Sequence, residues 1–298
     1  MYDILIIGGG TAGMSSAIFA KRSGLSVLII EENMFGGQII NTPEIENYPG
    51  IIHTSGFEFS TNLLEQVKNL KVEVVNKTIT TYDLESPVKK LSFADGFVEG
   101  KTVIIANGVN RRELGCEGEE RFKGSGVSYC ATCDAAFYRN KVVSIVGGGN
   151  TALEDALLLS NICEKVYLIH RRDEFRASKI LVDAVLKRDN IEILYNSSVK
   201  SINGETKVTS ITVIQDGNAI DYDVNGIFVC IGLIPANDVF DGVINLDEYG
   251  YIKADESLLT NIDGVFVAGD TRTKFLRQLV TAASDGAIAA MTAFNYLS

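Results

Sequence analysis

Tryptophan is missing from this sequence of 298 residues, which contains only two histidines, four prolines and five cysteines. A small, odd number of cysteines excludes the disulfide framework of a compact secreted protein. The two histidines, His53 and His170, lie far apart, and only Cys130 and Cys133 are close in sequence. Because a structural zinc ion needs four ligands, we expect no metal centre.

Basic residues are scarce as well: the sequence has 27 Lys and Arg but 38 Asp and Glu, which gives a net charge of -11. This charge would repel the phosphates of a nucleic acid and the headgroups of an anionic membrane. No apolar run approaches the roughly 18 residues that a membrane-spanning helix needs. The N-terminus also lacks the basic segment of a signal peptide, so we expect a cytoplasmic protein without a nucleic-acid or membrane partner.

A duplicated pattern is the most informative feature of the sequence. The apolar run at residues 4–7 enters the glycine segment GGGTAG at 8–13, and the run at 143–146 enters GGGNTA at 147–152. The elements that follow at equal spacing are a helix at 14–23 and a strand at 27–30, and a helix at 153–162 and a strand at 166–169. Strand, glycine turn, helix and strand form the βαβ unit that binds dinucleotides.

The small residues of each copy have separate tasks. The first glycine permits a tight turn, the second lets the backbone approach a pyrophosphate, and a small third residue lets helix and strand pack closely. The helix N-terminus then offers N–H groups to the phosphates. One such turn alone also occurs in other α/β proteins, but two copies in register weaken that alternative. The candidate residues are Gly8, Gly10 and Gly13 in the first site and Gly147, Gly149, Asn150, Thr151 and Ala152 in the second.

The residues after the second strand of each copy distinguish the two ligands. Glu31 offers a carboxylate to a ribose 2′-hydroxyl, as in FAD or NAD. His170, Arg171 and Arg172, followed by Arg176, instead suit a 2′-phosphate, which gains charge-assisted hydrogen bonds from them. We therefore expect NADPH rather than NADH at the second site, with a solvated basic face as the alternative interpretation.

A pair of cysteines lies between the two copies, in the segment SYCATCD at residues 128–134. Cys130 and Cys133 have the spacing of a small disulfide ring, and the start of a helix lowers a thiol pKa. Thiol–disulfide exchange needs one thiolate that attacks and a second that resolves the mixed disulfide. Asp134 is placed to transfer the proton. The alternatives are zinc ligands, which would lack partners, and two buried cysteines without chemistry.

Together these motifs resemble the bacterial low-molecular-weight thioredoxin reductases. The resemblance covers essentially the whole chain, and the motifs occur in the order of the family. The segments that carry it are GGGTAG at 8–13, GGQI at 36–39, ENYPG at 46–50, CATCD at 130–134, GGGNTALEDA at 147–156, HRRDEFRA at 170–177, GVFVAGD at 264–270 and RQLVTAASDGAIAA at 277–290.

The resemblance implies an α/β fold with two Rossmann-like, three-layer ββα domains, in which the NADPH domain is inserted into a discontinuous FAD domain. The FAD domain would comprise residues 1–111 and 241–298, and the NADPH domain with the cysteine pair residues 112–240. The family also implies further FAD contacts from Gly36, Gly37, Gln38, Asn47, Asp270, Arg277 and Gln278.

The resemblance further implies an NADPH-dependent thioredoxin-disulfide reductase. Electrons would pass from NADPH through FAD to Cys133, Cys130 would attack the disulfide of thioredoxin or a similar small protein, and Asp134 would transfer the proton. The family is homodimeric, and similar enzymes rotate one domain about the two linkers.

Alternatives within this fold change the electron donor to a ferredoxin, or the acceptor to a glutaredoxin-like or peroxidase-type protein. A flavoprotein that senses without turnover is a further alternative. The intact GGGNTA and HRRDEFR segments favour NADPH as the donor. Three residues depart from the pattern of the family: Asn107, Ala135 and Ser284. Ala135 follows the redox pair where relatives usually have glycine, so this departure bears on the local backbone.

Overall fold

The computed structural model describes residues 1–42 and 44–298. The chain forms two compact units, one of residues Met1–Asn110 and Ile234–Ser298 and the other of residues Arg111–Leu233. The second unit is thus an insertion into the first, and the chain passes between the units twice.

The first segment of the chain builds most of the first unit. Its elements are β1 (Tyr2–Ile7), α1 (Thr11–Arg22), β2 (Val27–Glu31), a 3-10 helix (Gly37–Asn41), α2 (Gly56–Asn69), β3 (Glu73–Asn76), β4 (Thr81–Asp83), β5 (Lys89–Phe93) and β6 (Gly96–Ile105). Strands β3, β2, β1 and β6 are parallel neighbours in this order, and β5 and β4 extend the sheet in antiparallel orientation.

The inserted unit repeats this plan. Its elements and the two linking strands are β7 (Val109–Arg111), β8 (Val127–Ser128), α3 (Ala131–Asp134), a 3-10 helix (Ala135–Tyr138), β9 (Val142–Val146), α4 (Asn150–Ser160), β10 (Lys165–Ile169), α5 (Lys179–Leu186), β11 (Ile191–Leu194), β12 (Ser197–Gly204), β13 (Val208–Gln215), β14 (Asn218–Asp223), β15 (Gly226–Val229) and β16 (Leu233–Pro235). Strands β11, β10, β9, β15 and β8 form a parallel sheet in this order, and β12, β13 and β14 form an antiparallel one. The linking strands β7 and β16 pair with each other.

The last segment completes the first unit with a 3-10 helix (Asp238–Phe240), β17 (Val265–Val267) and α6 (Leu279–Leu297). Strand β17 pairs with β6 in parallel, and α6 packs on α1. Gly286 permits this helix contact, because a Cβ atom there would lie 2.3 Å from the carbonyl oxygen of Ala12.

Alternating side chains place two apolar cores around each sheet. In β1, Ile4 and Ile6 face α1 and α6, whereas Leu5 and Ile7 join the apolar cluster on the opposite face. In the second unit, one core contains the helices α4 and α5, and the other contains the strands β12 and β13. Each unit therefore has three layers, and the two Rossmann-like domains that the resemblance implies are confirmed.

The predicted strands and helices of both βαβ units are also present, with one systematic shift. Helix α1 begins at Thr11 and α4 at Asn150, each three residues before the predicted start. The reason is that Gly10 and Gly149, with extended backbones, are the N-caps, so the residues directly after the glycines are already helical.

The side chain of Asp3, at the start of β1, forms hydrogen bonds with Ser26 and Lys101. Its carboxylate accepts hydrogen bonds from the N–H of Ser26 at 2.9 Å, the hydroxyl of Ser26 at 2.7 Å and the ammonium of Lys101 at 2.7 Å. These bonds, the one from Lys101 first, lower the pKa of Asp3 to about 2. A carboxyl group with a lowered folded pKa adds stability above its unfolded pKa of about 4 and loses it as the pH falls through the folded value.

Asp3→Asn should therefore lower the free energy of unfolding by about 1 kcal/mol at pH 7, a value that allows for solvent screening of this partly exposed group. The difference from the wild type should shrink as the pH falls from about 5 towards 2. Urea denaturation at several pH values measures this. Asp95→Asn, which removes the exposed partner of Lys77, is the control and should change stability less. A difference for Asp3→Asn that does not vary with pH would contradict the assignment.

Candidate active site

The turn between β1 and α1 has two positions at which only glycine fits. Gly8 has a φ angle of +106°, and a Cβ atom there would lie 2.3 Å from the carbonyl oxygen of Ala106. A Cβ atom on Gly13 would lie 1.9 Å from the carbonyl oxygen of Gly8. Only glycine permits such close backbone contact. A Cβ atom on Gly10 would have no contact shorter than 3.9 Å, so the turn is accessible at this point.

The GGQI segment lies against this turn. The N–H of Gly36 donates to the carbonyl of Gly9 at 2.9 Å, and Gly36 and Gly37 have φ angles of +122° and +66°. Gln38 follows and is exposed. Glu31, at the end of β2, accepts a hydrogen bond from the N–H of Gly9 at 2.6 Å. The structure thus brings the acidic strand end and both glycine segments together.

Residues from the C-terminal segment adjoin the same turn. Gly269 follows β17, and a Cβ atom there would lie 2.8 Å from a side chain of the first turn of α1. The carbonyl of the next residue, Asp270, accepts a hydrogen bond from Nε of Arg277 at 3.2 Å. Gln278 is the N-cap of α6, and its amide oxygen accepts a hydrogen bond from the amide of Asn47 at 3.1 Å. Two predicted FAD contacts, far apart in sequence, are therefore neighbours.

Sequence reasoning missed a buried ionic cluster beside these residues. The carboxylate of Asp285 lies 2.9 Å from a nitrogen of Arg272 and 2.9 Å from Nζ of Lys274, and the three side chains are at most 5% exposed. Burial acts to raise the pKa of Asp285, but hydrogen bonds from Arg272 and Lys274 outweigh it and hold this pKa below its ordinary value. The available signal was a single acid among the small residues AASDGAIAA at 282–290.

The turn between β9 and α4 repeats the construction in the second unit. A Cβ atom on Gly147 would lie 2.5 Å from Cβ of Ala152 and 2.5 Å from the carbonyl oxygen of Cys230. A Cβ atom on Gly149 would have no described atom within 4 Å. Thr151, in the first turn of α4, is exposed. The second site therefore also combines a tightly packed glycine with an open one.

The loop after β10 folds back over this second turn. The N–H of Arg176 donates to the middle glycine of the turn at 2.8 Å, and the N–H of Ser178 donates to the side chain of Asn150 at 2.8 Å. The side chains of Arg171, Arg172 and Arg176 are exposed. These contacts hold a cationic loop beside the uncapped start of α4.

His170 has a different environment from these arginines. It is buried, and its ring lies against the turn, since a Cβ atom on Gly148 would be 2.1 Å from the ring carbon Cε1. Its Nε2 lies 2.9 Å from the carbonyl oxygen of Glu174, and its ring packs on Phe175. These contacts make His170 part of the support of the turn. Its role as an NADPH ligand stays a prediction.

Both helix N-termini fit the phosphates of a dinucleotide. Among the described residues, no side chain caps the first turn of α1 or α4, and neither turn contains an acidic residue. Their N–H groups and positive dipole ends are therefore available to an anion. The open glycines, Gly10 and Gly149, lie at these ends. The two sites thus have the donor groups that FAD and NADPH would need.

Cys130 and Cys133 form a disulfide bond in the second unit. Cys130 is the N-cap of α3, and both cysteines are half-buried. The hydroxyl of Ser128 donates to the carboxylate of Asp134 at 2.6 Å and accepts the N–H of Cys130 at 3.2 Å. One hydroxyl group therefore connects the predicted exchanging cysteine with the predicted proton carrier. Sequence reasoning did not single out Ser128.

A second network supports the residue before the redox pair. The hydroxyl of Tyr129 donates to the carboxylate of Glu119 at 2.9 Å, and burial, followed by this hydrogen bond, raises the pKa of Tyr129. Glu119 is buried and also accepts the N–H groups of Leu114 at 3.0 Å and Gly115 at 2.7 Å. This carboxylate thus fixes the strand end that carries Cys130.

The residues after the redox pair have ordinary conformations. Ala135 has φ and ψ angles of -55° and -34°, which any residue adopts, so the alanine causes no backbone strain here. The ring of Tyr138 packs edge-on against Phe228 of the core, with centroids 5.2 Å apart. Tyr138 therefore contributes to the packing of the core.

The other cysteines lie in environments that disfavour a thiolate. Burial raises the pKa of Cys116 and of Cys163 to about 11. Burial, together with Asp155 nearby, also raises the pKa of Cys230, whose thiol donates to that carboxylate at 3.1 Å. All three thiols are therefore protonated near neutral pH.

The described part of the chain has neither a cluster of metal ligands nor a helix suited to a membrane. Over residues 1–42 and 44–298, no group of three or more His, Cys, Asp or Glu residues is arranged to hold a metal ion. Within the same residues, no helix has the length and apolarity to cross a membrane.

Comparisons with known proteins agree with this geometry. The family described as pyridine nucleotide-disulphide oxidoreductase matches residues 2–287. The thioredoxin reductase of Peptoclostridium acidaminophilum is 41% identical over 306 residues, with all of this chain and 97% of the relative covered. The thioredoxin reductase of Listeria monocytogenes is 39% identical over 300 residues, and the match covers 100% of this chain and 94% of the relative.

Solved structures give the same result. The thioredoxin reductase of Streptococcus pyogenes matches with a TM-score of 0.95 and 41% identity, covering 100% of this chain and 98% of the other. The thioredoxin reductase of Giardia duodenalis matches with a TM-score of 0.95 and 34% identity, and the match covers 99% of this chain and 98% of the other. The chain belongs to the pyridine nucleotide-disulphide oxidoreductase family, in which it groups with the thioredoxin reductases.

Proposed function

We propose that this chain is an NADPH-dependent flavoenzyme that reduces the disulfide of thioredoxin. The observation that carries this proposal is the Cys130–Cys133 disulfide beside Asp134, in a chain with two dinucleotide-type turns. Its relatives at about 40% identity over the full length are named thioredoxin reductases. The cofactors are FAD and NADPH.

FAD belongs to the first unit in this proposal. The open turn at Gly10 and the N-terminus of α1 receive its diphosphate, and Glu31 is the carboxylate for a ribose hydroxyl. Asp270 and the Asn47–Gln278 pair lie at the adjoining loops and contact the rest of the cofactor. Glu31 accepts the N–H of Gly9, which holds the carboxylate at the turn.

NADPH belongs to the second unit. The N-terminus of α4 takes its diphosphate, and Arg171, Arg172 and Arg176 take the 2′-phosphate, which gives planar guanidinium groups several charge-assisted bonds. When bound, the two cofactors supply hydride transfer and deliver two electrons to the disulfide.

The cysteines then carry out thiol–disulfide exchange. Reduction of the disulfide by two electrons and two protons gives two thiols, and Asp134 takes the proton from Cys130. The Cys130 thiolate attacks one sulfur of the thioredoxin disulfide, forms a mixed disulfide and releases one partner thiolate. The Cys133 thiol gives its proton to the first partner thiolate, and the resulting Cys133 thiolate attacks Sγ of Cys130, which closes the ring again and releases the second partner thiolate. That thiolate takes the proton from Asp134, so thioredoxin leaves as a dithiol.

The features of the second unit favour NADPH over a ferredoxin as the donor. A ferredoxin-flavin thioredoxin reductase from Clostridium acetobutylicum shares 29% identity, with a TM-score of 0.54. The exposed arginines beside the uncapped start of α4 give the 2′-phosphate of NADPH a binding site, whereas a protein donor would need no nucleotide there.

A cytoplasmic homodimer is part of the proposal. The free thiols Cys116, Cys163 and Cys230 and a disulfide that must cycle both suit a reducing compartment. Sedimentation analysis tests the dimer, and oxidation of NADPH in the presence of thioredoxin tests the activity. A purified chain that binds no FAD, or that oxidises NADPH without reducing any thioredoxin, would overturn the proposed function.

Cys133→Ser should abolish thioredoxin reduction, lowering kcat by roughly 10³-fold or more, because the resolving and electron-accepting sulfur is lost. Flavin content and NADPH affinity should stay unchanged. Stopped-flow absorbance and the coupled thioredoxin assay separate these effects. Cys116→Ser is the matched control and should keep activity. Turnover by the Cys133 variant at the wild-type rate would contradict the mechanism.

Replacement of Arg171 and Arg172 by alanine should raise KM for NADPH about 10- to 100-fold, since charge-assisted bonds to the 2′-phosphate are lost. KM for NADH should change little. Arg121→Ala, in the same unit but bonded to the carbonyl of Glu205, should leave both values unchanged. An unaltered preference for NADPH in the double variant would contradict the assignment of this site.

Ser128→Ala should lower kcat/KM for thioredoxin about tenfold, because a hydrogen bond to a carboxylate is worth roughly 1.5 kcal/mol. Ser128→Thr keeps the hydroxyl and should restore the wild-type kcat/KM. If the alanine and threonine variants behave alike, the hydroxyl has no such role.

A further inference from the structure

We propose that Asp285 positions the loop of residues 269–278, through which Asp270 and Gln278 reach FAD. This inference rests on the proposed function and adds a residue to it. Asp285 lies on α6 and is placed to act through the loop, so it is a positioning residue for the cofactor.

Four hydrogen bonds converge on the Asp285 carboxylate. Oδ2 accepts the N–H of Gly269 at 3.0 Å, Nε of Arg272 at 2.9 Å and Nζ of Lys274 at 2.9 Å, and Oδ1 accepts Nη2 of Arg272 at 3.0 Å. Arg272 therefore binds in the two-pronged geometry that fixes both orientation and distance. One carboxylate holds three separate points of the loop.

These three points lie on both sides of Asp270. Gly269, with a φ angle of +84°, precedes it, and Arg272 and Lys274 follow it. Arg277 extends the network, because its guanidinium donates to the carbonyls of Asp270 and Arg272 at 3.2 Å each. The chain from the end of β17 to the start of α6 is thereby tied to one residue.

The burial of this cluster makes the carboxylate hard to replace. Arg272 and Lys274 have side chains that are 4% and 5% exposed, and buried cations without a counter-charge are strongly unfavourable. Loss of the Asp285 charge would leave Arg272 only the exposed Glu256, whose carboxylate lies 3.6 Å away. Both cationic side chains would then move towards water, and the loop would move with them. Strand β17 and helix α6 have apolar contacts of their own, with Phe266 and Ala289 in the core. We therefore expect the loop to change conformation while the sheet and the helix stay folded.

The decisive experiment measures FAD binding by the apoprotein of the full chain. Asp285→Asn keeps the size and one acceptor oxygen but removes the charge, and the dissociation constant for FAD should rise about tenfold or more. Visible circular dichroism of the bound flavin should change as well, because the groups around it move. Asp95→Asn, in the same unit, is the control and should bind FAD like the wild type.

A second variant covers the case in which Asp285→Asn does not fold. Arg272→Lys keeps the positive charge but cannot form the two-pronged contact, and the FAD dissociation constant should rise about threefold or more. Thermal unfolding with and without FAD separates positioning from stability. A positioning role reduces the stabilisation that FAD gives, whereas a purely structural role lowers both melting temperatures equally and leaves FAD affinity unchanged.

The outcomes distinguish this inference from the proposed function. If the wild-type chain binds no FAD, the proposed function fails. If the wild type binds FAD and the folded variants at Asp285 and Arg272 bind it equally well, with the same flavin spectrum, the positioning role of Asp285 is wrong and the proposed function stands.

Discussion

Close backbone contact at the two glycine turns is the constraint on which both nucleotide sites depend. At Gly13 an added Cβ atom would lie 1.9 Å from the carbonyl of Gly8, and at Gly147 it would lie 2.5 Å from Ala152. Because only glycine fits at these positions, a turn of three residues connects each strand to its helix. The uncapped N–H groups of α1 and α4 then meet the open side of the turn, where an anion gains most from them.

Electrostatics separate two sites that share this geometry. The first has an acid, Glu31, bound to a backbone N–H of the turn, and the second has exposed arginines on a loop that is bonded back to its turn. A carboxylate repels a 2′-phosphate and accepts from a 2′-hydroxyl, whereas guanidinium groups do the reverse. In the proposed function, this difference in charge directs the flavin nucleotide to the first site and the phosphorylated nicotinamide to the second.

The redox centre depends on shorter-range contacts. Ser128 joins Cys130 to Asp134, and the buried Glu119 holds Tyr129 beside them. The remaining thiols stay protonated because burial raises their pKa values. In the proposed function, thiolate chemistry therefore belongs to the Cys130–Cys133 pair.

Local patterns in the sequence determined the βαβ units, the glycine turns and the cysteine pair, because strand, turn and helix signals act over a few residues. Tertiary structure alone decided the rest. The contact between Asn47 and Gln278 joins distant segments, the ring of His170 packs under the turn, and Asp285 gathers two buried cations. Such contacts follow from how helices and loops pack on the sheet, and periodicity along the chain carries no record of which distant side chains that packing will bring together.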